Sequence, residues 1–169
     1  MKNKAIPAGR QGFTLLETLV AISVLALALA GILSLASIGI HSSVNSANQM
    51  KAFFLASEAV EFIRNKRDSN ILSGSGWLSG LGGCEGGCYL DAPNGVISAC
   101  AGGVCPKLKF NPATNLYGHG LGADSIFTRK LTITQSASYE VKLSSEISWP
   151  QGGISRNFVL EERLFDLSF

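Results

Sequence analysis

One run of residues limits what this chain can fold into. From Thr18 to Ile40 it reads TLVAISVLALALAGILSLASIGI, with no charge and no proline. That exceeds the roughly 20 residues an α-helix needs to cross a bilayer. Ala and Leu dominate the run, and both are good helix formers. Just before it stands Glu17, the single formal charge between Gln11 and Met50. A charge in such a setting costs roughly 2.5–3.5 kcal/mol at a bilayer centre and less near an interface. A carboxylate kept at that cost is a candidate functional residue. Ahead of it lies a short basic leader, residues 1–12, holding Lys2, Lys4 and Arg10.

Gly12-Phe13-Thr14-Leu15-Leu16-Glu17, between a basic leader and a long apolar run, resembles the N-terminal signal of type IV prepilins and pseudopilins. The resemblance covers residues 1–70 and continues beyond them as architecture. Lys51–Asn70, KAFFLASEAVEFIRNKRDSN, is similar to the matching helix of minor pilins and small pseudopilins. The resemblance implies that a prepilin peptidase cuts between Gly12 and Phe13 and methylates the new amine of Phe13. It implies that Glu17 serves filament assembly by meeting that amine on a neighbouring subunit. The attraction is strong in a low dielectric, but desolvation takes back much of it, so the pair is better suited to setting register than to holding subunits together. The implied partners are the peptidase, other pilin or pseudopilin subunits, an inner-membrane assembly platform and, before assembly, membrane lipid. No catalytic residue, cofactor or metal is implied.

The charge balance fits this reading. The leader carries three of the 14 basic side chains, so its removal leaves 11 against 12 acidic ones. Nothing in the remainder suggests a nucleic-acid partner, for which a basic face is the footprint. Positive residues flanking a first apolar segment stay cytoplasmic. The expected placement is therefore a single pass through the inner membrane, N-terminus inside, followed by a periplasmic or extracellular filament.

The expected fold is α+β and pilin-like, a long N-terminal helix packed on a small antiparallel sheet. A transmembrane or filament-core helix is expected over 13–42 and an amphipathic helix over 43–70. Together they make about 55 residues, or roughly 80 Å. Gly31 and Ser34 are its soft points. Ala26, Ala30 and Ser34 have the spacing of small-xxx-small helix contacts. Ala52, Leu55, Ala56, Ala59, Phe62 and Ile63 follow i, i+3, i+4, i+7 and should cover the sheet. Asp68-Ser69-Asn70 and then Gly74 should end the helix.

Residues 71–125 read as a loop region rich in glycine and cysteine, with Trp77, Leu78, Leu81, Tyr89 and Leu90 as anchors to the core. Cys84, Cys88, Cys100 and Cys105 suit an oxidising compartment, where disulfides persist. Four cysteines allow three pairings, all left open by the sequence. Their spacings do not match the usual zinc patterns. Gly118-His119-Gly120-Leu121-Gly122 superficially resembles a phosphate loop, yet it lacks the lysine of one. His119 reads as a loop residue. No Ser-His-Asp or Cys-His arrangement is visible, so no enzyme is expected.

Over residues 126–169 the period changes to two. Leu131 and Ile133, the series from Tyr139 to Trp149, and Phe158 to Leu164 alternate. Pro150-Gln151-Gly152-Gly153 marks a turn. Three strands in an antiparallel meander are expected. Residues 1–70 and this head together suggest a minor pilin or pseudopilin of a type IV pilus-like or type II secretion filament. The helix without proline, the glycine-rich region and the cysteine cluster favour a minor subunit. Two other readings compete: a membrane-anchored ectodomain with no filament role, and a secreted disulfide or zinc module. A cleaved secretory signal has a small-x-small site at Ala28-Leu29-Ala30, but the apolar run continues well past it.

Overall fold

The computed structural model of the protein describes Gly12 and residues 14–167. It is α+β, with one long N-terminal helix followed by an antiparallel sheet of seven strands, the pilin-like architecture. Helix α1 spans Leu15–Leu72. The strands are β1 (Cys88–Asp91), β2 (Val96–Ala99), β3 (Lys107–Asn111), β4 (Leu116–Gly118), β5 (Ala123–Ala137), β6 (Glu140–Gln151) and β7 (Ile154–Phe165). By contact the chain divides into one unit up to Val44 and a second from Asn45 onward. The boundary falls inside α1.

In the first unit the helix is continuous through Gly31 and Ser34, the expected soft points. Its apolar side chains, from Leu15 to Val44, are exposed. Two hydroxyls fold back onto the helix: Thr18 donates to the Leu15 carbonyl at 2.9 Å and Ser23 to the Leu19 carbonyl at 2.8 Å. Such back-bonding satisfies a hydroxyl locally and leaves the helix surface effectively apolar.

In the second unit the helix buries Ala52, Leu55, Ala56, Ala59, Val60 and Ile63. This is the expected stripe with Val60 in place of Phe62, which is half-buried. Ala52, Ala56 and Ala59 are completely buried, and their short side chains let the helix lie close to the sheet. Two core clusters result. One joins Ala59, Val60 and Ile63 to Leu90, Leu131, Ile133, Val141, Leu143 and Leu164. The other joins Ala52, Leu55 and Ala56 to Leu108, Phe127, Ile147 and Trp149.

The helix ends two residues beyond Asn70, in a Schellman motif. Gly74 adopts a left-handed φ of 69°, its N–H donates to the Ile71 carbonyl at 3.0 Å, and the Ser75 N–H donates to the Asn70 carbonyl at 2.9 Å. The Asn70 side chain turns inward and donates to the carbonyls of Trp77 and Ser79 at 3.1 and 2.8 Å. That clamps the glycine-rich connection to the helix. Leu81 and Leu90 are buried, and Trp77 and Leu78 pack half-buried against the core, as expected of anchors.

Strands β5, β6 and β7 form the expected meander. The β6–β7 turn is two residues, Gly152 and Gly153, with φ of 59° and 79°. Positive φ at both positions is the requirement of a type I′ hairpin turn. The sheet is larger than the three strands expected, because β1 to β4 come from the stretch read as loop. β1 and β3 both pair with β5, through Cys88↔Leu131 and through Lys107↔Thr128 to Phe110↔Ala123. These added strands are only three to five residues long. Runs that short, interrupted by glycine, show too little alternation to be seen.

Candidate functional site

Helix α1 begins at Leu15, three residues after Gly12. Gly12 itself is exposed and lies outside the helix. Phe13 and the leader lie outside the described residues, so the cleavage and methylation position is a matter of sequence here. Thr14 is the N-cap. Its Oγ1 accepts a hydrogen bond from the Glu17 N–H at 3.2 Å. Thr-x-x-Glu at a helix start is the capping-box pattern, a signal present in Thr14-Leu15-Leu16-Glu17 that the reading above did not use. The cap satisfies one of the amides that a helix start leaves without a partner.

Glu17 sits in the first turn of α1 and is exposed. Its carboxylate makes no hydrogen bond or ion pair among the described residues. The position favours a negative charge, because first-turn amides and the helix dipole present partial positive charge. An exposed carboxylate at the head of an exposed apolar helix can therefore accept a cation from another molecule.

The four cysteines form two disulfides, Cys84–Cys88 and Cys100–Cys105. Sequence left the pairing open, and the fold chooses the two most local links. The bridges are neighbours: the Cys100 N–H donates to the Gly87 carbonyl at 2.9 Å, and Cys105 Sγ lies 3.7 Å from the Cys88 carbonyl. Cys84 and Cys88 belong to the core. Bonded in this way, none of the four offers a thiolate to a metal.

Sequence reasoning missed Arg129. It follows the period-two alternation of Phe127, Leu131 and Ile133 and so faces the core, where it is completely buried. Nη1 donates to the Leu55 carbonyl at 3.1 Å and to Glu58 Oε2 at 2.6 Å, and Nη2 donates to the Leu90 carbonyl at 2.8 Å. One guanidinium thus ties α1, β1 and β5 together. Burial lowers its pKa while Glu58 opposes the shift. Alternation counted for all residue types, not apolar ones alone, would have found it.

Glu162 is the second charge on a core-facing register. It takes two hydrogen bonds of 2.7 Å from Arg64 Nη2, which accounts for the imperfect alternation of β7. His119 is a loop residue, as expected. Its backbone N–H donates to Asp91 Oδ1 at 3.1 Å and its ring stands edge-on to Tyr89, with centroids 4.7 Å apart. Its Nε2 is buried and makes no hydrogen bond among the described residues. Burial, followed by the positive charge of Arg129, pushes the imidazole pKa down.

The prokaryotic N-terminal methylation motif, the type IV pilin signal, matches residues 7–33. That span contains Gly12, Phe13, the Thr14 cap, Glu17 and the first half of the apolar run. No curated protein and no solved structure matches the chain.

Proposed function

We propose, from the premise that this chain is a type IV pilin-like precursor, that it is a minor pilin or pseudopilin of a type IV pilus-like or type II secretion filament. The motif at residues 7–33 carries the reading, since it implies processing by prepilin peptidase and assembly with other pilins. The family is generally structural. An apolar N-terminal helix with this motif also fits membrane anchoring.

The proposed course is as follows. The precursor spans the inner membrane with its basic leader in the cytoplasm. Cleavage after Gly12 frees the amine of Phe13, which is then methylated. Glu17 of one subunit meets that amine on the next, and removing the two charges from water together is what makes the contact selective. The exposed apolar helix supplies most of the association, through close helix packing and through the burial of any apolar surface that would otherwise meet water. The strand-rich second unit faces the solvent. A Glu17 carboxylate with no partner among the described residues and an exposed apolar helix surface support this course.

The test is the mass of the mature N-terminus, with and without a prepilin peptidase. A chain beginning at methylated Phe13 only when the peptidase is present is expected. A chain beginning at Met1, or near Gly31, in its presence removes the proposal. Glu17→Ala separates the two roles of the stretch: cleavage should continue while incorporation into filaments falls. Normal incorporation would take Glu17 out of the mechanism.

A further inference from the structure

The glycine-rich stretch that superficially resembled a phosphate loop borders a cavity of about 290 Å³ in the second unit. Three pieces of backbone enclose it: the 3-10 turn Ala92–Asn94, the turn between β3 and β4, and the segment after β4. Asp91 is the single ionisable residue among those lining it. It is nine-tenths buried. One of its oxygens accepts the His119 N–H at 3.1 Å and the other accepts Asn94 Nδ2 at 2.8 Å. A carboxylate has about four acceptor sites, so roughly half its capacity remains. Asn111 uses its Oδ1 for the Ala113 N–H at 3.0 Å, which leaves its NH2 to donate. Thr114 adds a hydroxyl that can do either. Pro93, Leu116 and Leu121 complete the lining with apolar surface. The cavity stays open at Asp91 because residue 118 is glycine. A Cβ there would stand 2.7 Å from Asp91 Oδ1 and 3.1 Å from Pro93 Cγ.

These groups select among ligands. An anion such as phosphate meets a carboxylate and no lining cation. A calcium ion needs about six to eight oxygen ligands, usually several of them charged, and one carboxylate already holding two donors falls short. A purely apolar ligand would strip water from Asp91 and Asn111 without replacing it, which leaves both desolvated and unpaired. A neutral ring bearing adjacent hydroxyls fits all three surfaces. Its hydroxyls donate to Asp91 and accept from Asn111, and its C–H face lies on the apolar residues. The volume is at the small end of ligand pockets, which run from about 300 to 1,000 Å³, and so suits one ring. We infer that this cavity binds a neutral hexose ring, with Asp91 and Asn111 as its polar partners. The inference concerns the second unit alone and stands apart from the filament reading.

Saturation-transfer NMR tests it on the full chain in lauryldimethylamine oxide micelles, a detergent without a sugar headgroup. The probes are the methyl glycosides of glucose, galactose, mannose, N-acetylglucosamine and N-acetylgalactosamine. At least one should receive transfer at its ring C–H protons. That signal should be lost in both Asn111→Ala and Leu121→Ser. The second variant guards against a local effect of losing the Asn111–Ala113 bond, since Leu121 is exposed and makes no such contact. Unchanged circular dichroism and both intact disulfides establish that the variants are folded. Transfer to none of the five sugars overturns the inference, and so does transfer that survives in both folded variants. Neither outcome bears on cleavage at Gly12, which mass analysis reads separately.

Discussion

Two residues carry more of the head than their neighbours. Arg129 is a buried cation on β5 whose partners lie on two other elements, α1 and β1. Removing one member of such a set leaves the others desolvated and unpaired, a cost of about 3–5 kcal/mol for a fully buried pair. Glu58 is partly exposed, so rehydration reduces the cost. Arg129→Met should therefore destabilise the protein by roughly 2–4 kcal/mol, read as a drop of several degrees in the thermal midpoint of the sheet's circular dichroism. An unchanged midpoint would show that an apolar side chain substitutes freely. His119 makes a pH prediction. Its folded pKa is pushed below the usual value of about 6.5. The unfolded chain then binds the proton more readily, so stability should fall as pH drops below about 6.5 and recover as pH rises. His119→Gln should flatten that slope, and a slope unaltered by the change would assign it to other groups.

At the scale of elements, the two disulfides are local clips. Each closes only a few residues, with sequence separations of 4 and 5. In the chain-entropy account a loop that short contributes roughly 2 kcal/mol. The pairs should not be equal, because Cys84 and Cys88 also fill core volume while Cys100 and Cys105 lie at its margin. Cys84→Ala with Cys88→Ala should cost more than Cys100→Ala with Cys105→Ala, as compared by thermal unfolding. Peptide mapping without reductant, after cleavage at Glu85 and Asp91, should find the 84–88 and 100–105 links; a link from Cys84 to Cys100 or Cys105 would contradict the fold. The helix stripe was legible because Ala52, Leu55, Ala56, Ala59 and Ile63 repeat at helical spacing. The meander was legible from Val141, Leu143, Ile147 and Trp149. Strands β1 to β4 were not, because β1 and β3 are placed by Leu131 and Thr128 of β5, and β2 and β4 by β1 and β3 in turn, not by their own few residues.

On the whole-molecule scale, both hydrophobic clusters draw only on residues between Ala52 and Leu164. A chain beginning at Asn45 should consequently fold without detergent, with the same two disulfides and the same sheet signal. Aggregation of that fragment under oxidising conditions would show that the second unit depends on the first. The sequence by itself determined the part whose physics is one-dimensional. A helix long and apolar enough to cross a bilayer needs only an unbroken apolar run, and the N-terminal methylation motif at residues 7–33 is likewise read from one stretch of chain. A period of 3.6 or of two likewise declares a covered face in the residues that form it. Tertiary structure decided everything that joins distant positions. Why Arg129 can be buried and how Asp91 and Asn111 come to line one cavity depend on strands brought side by side. The contact of Arg129 with Leu55 spans 74 residues, and no local pattern encodes it.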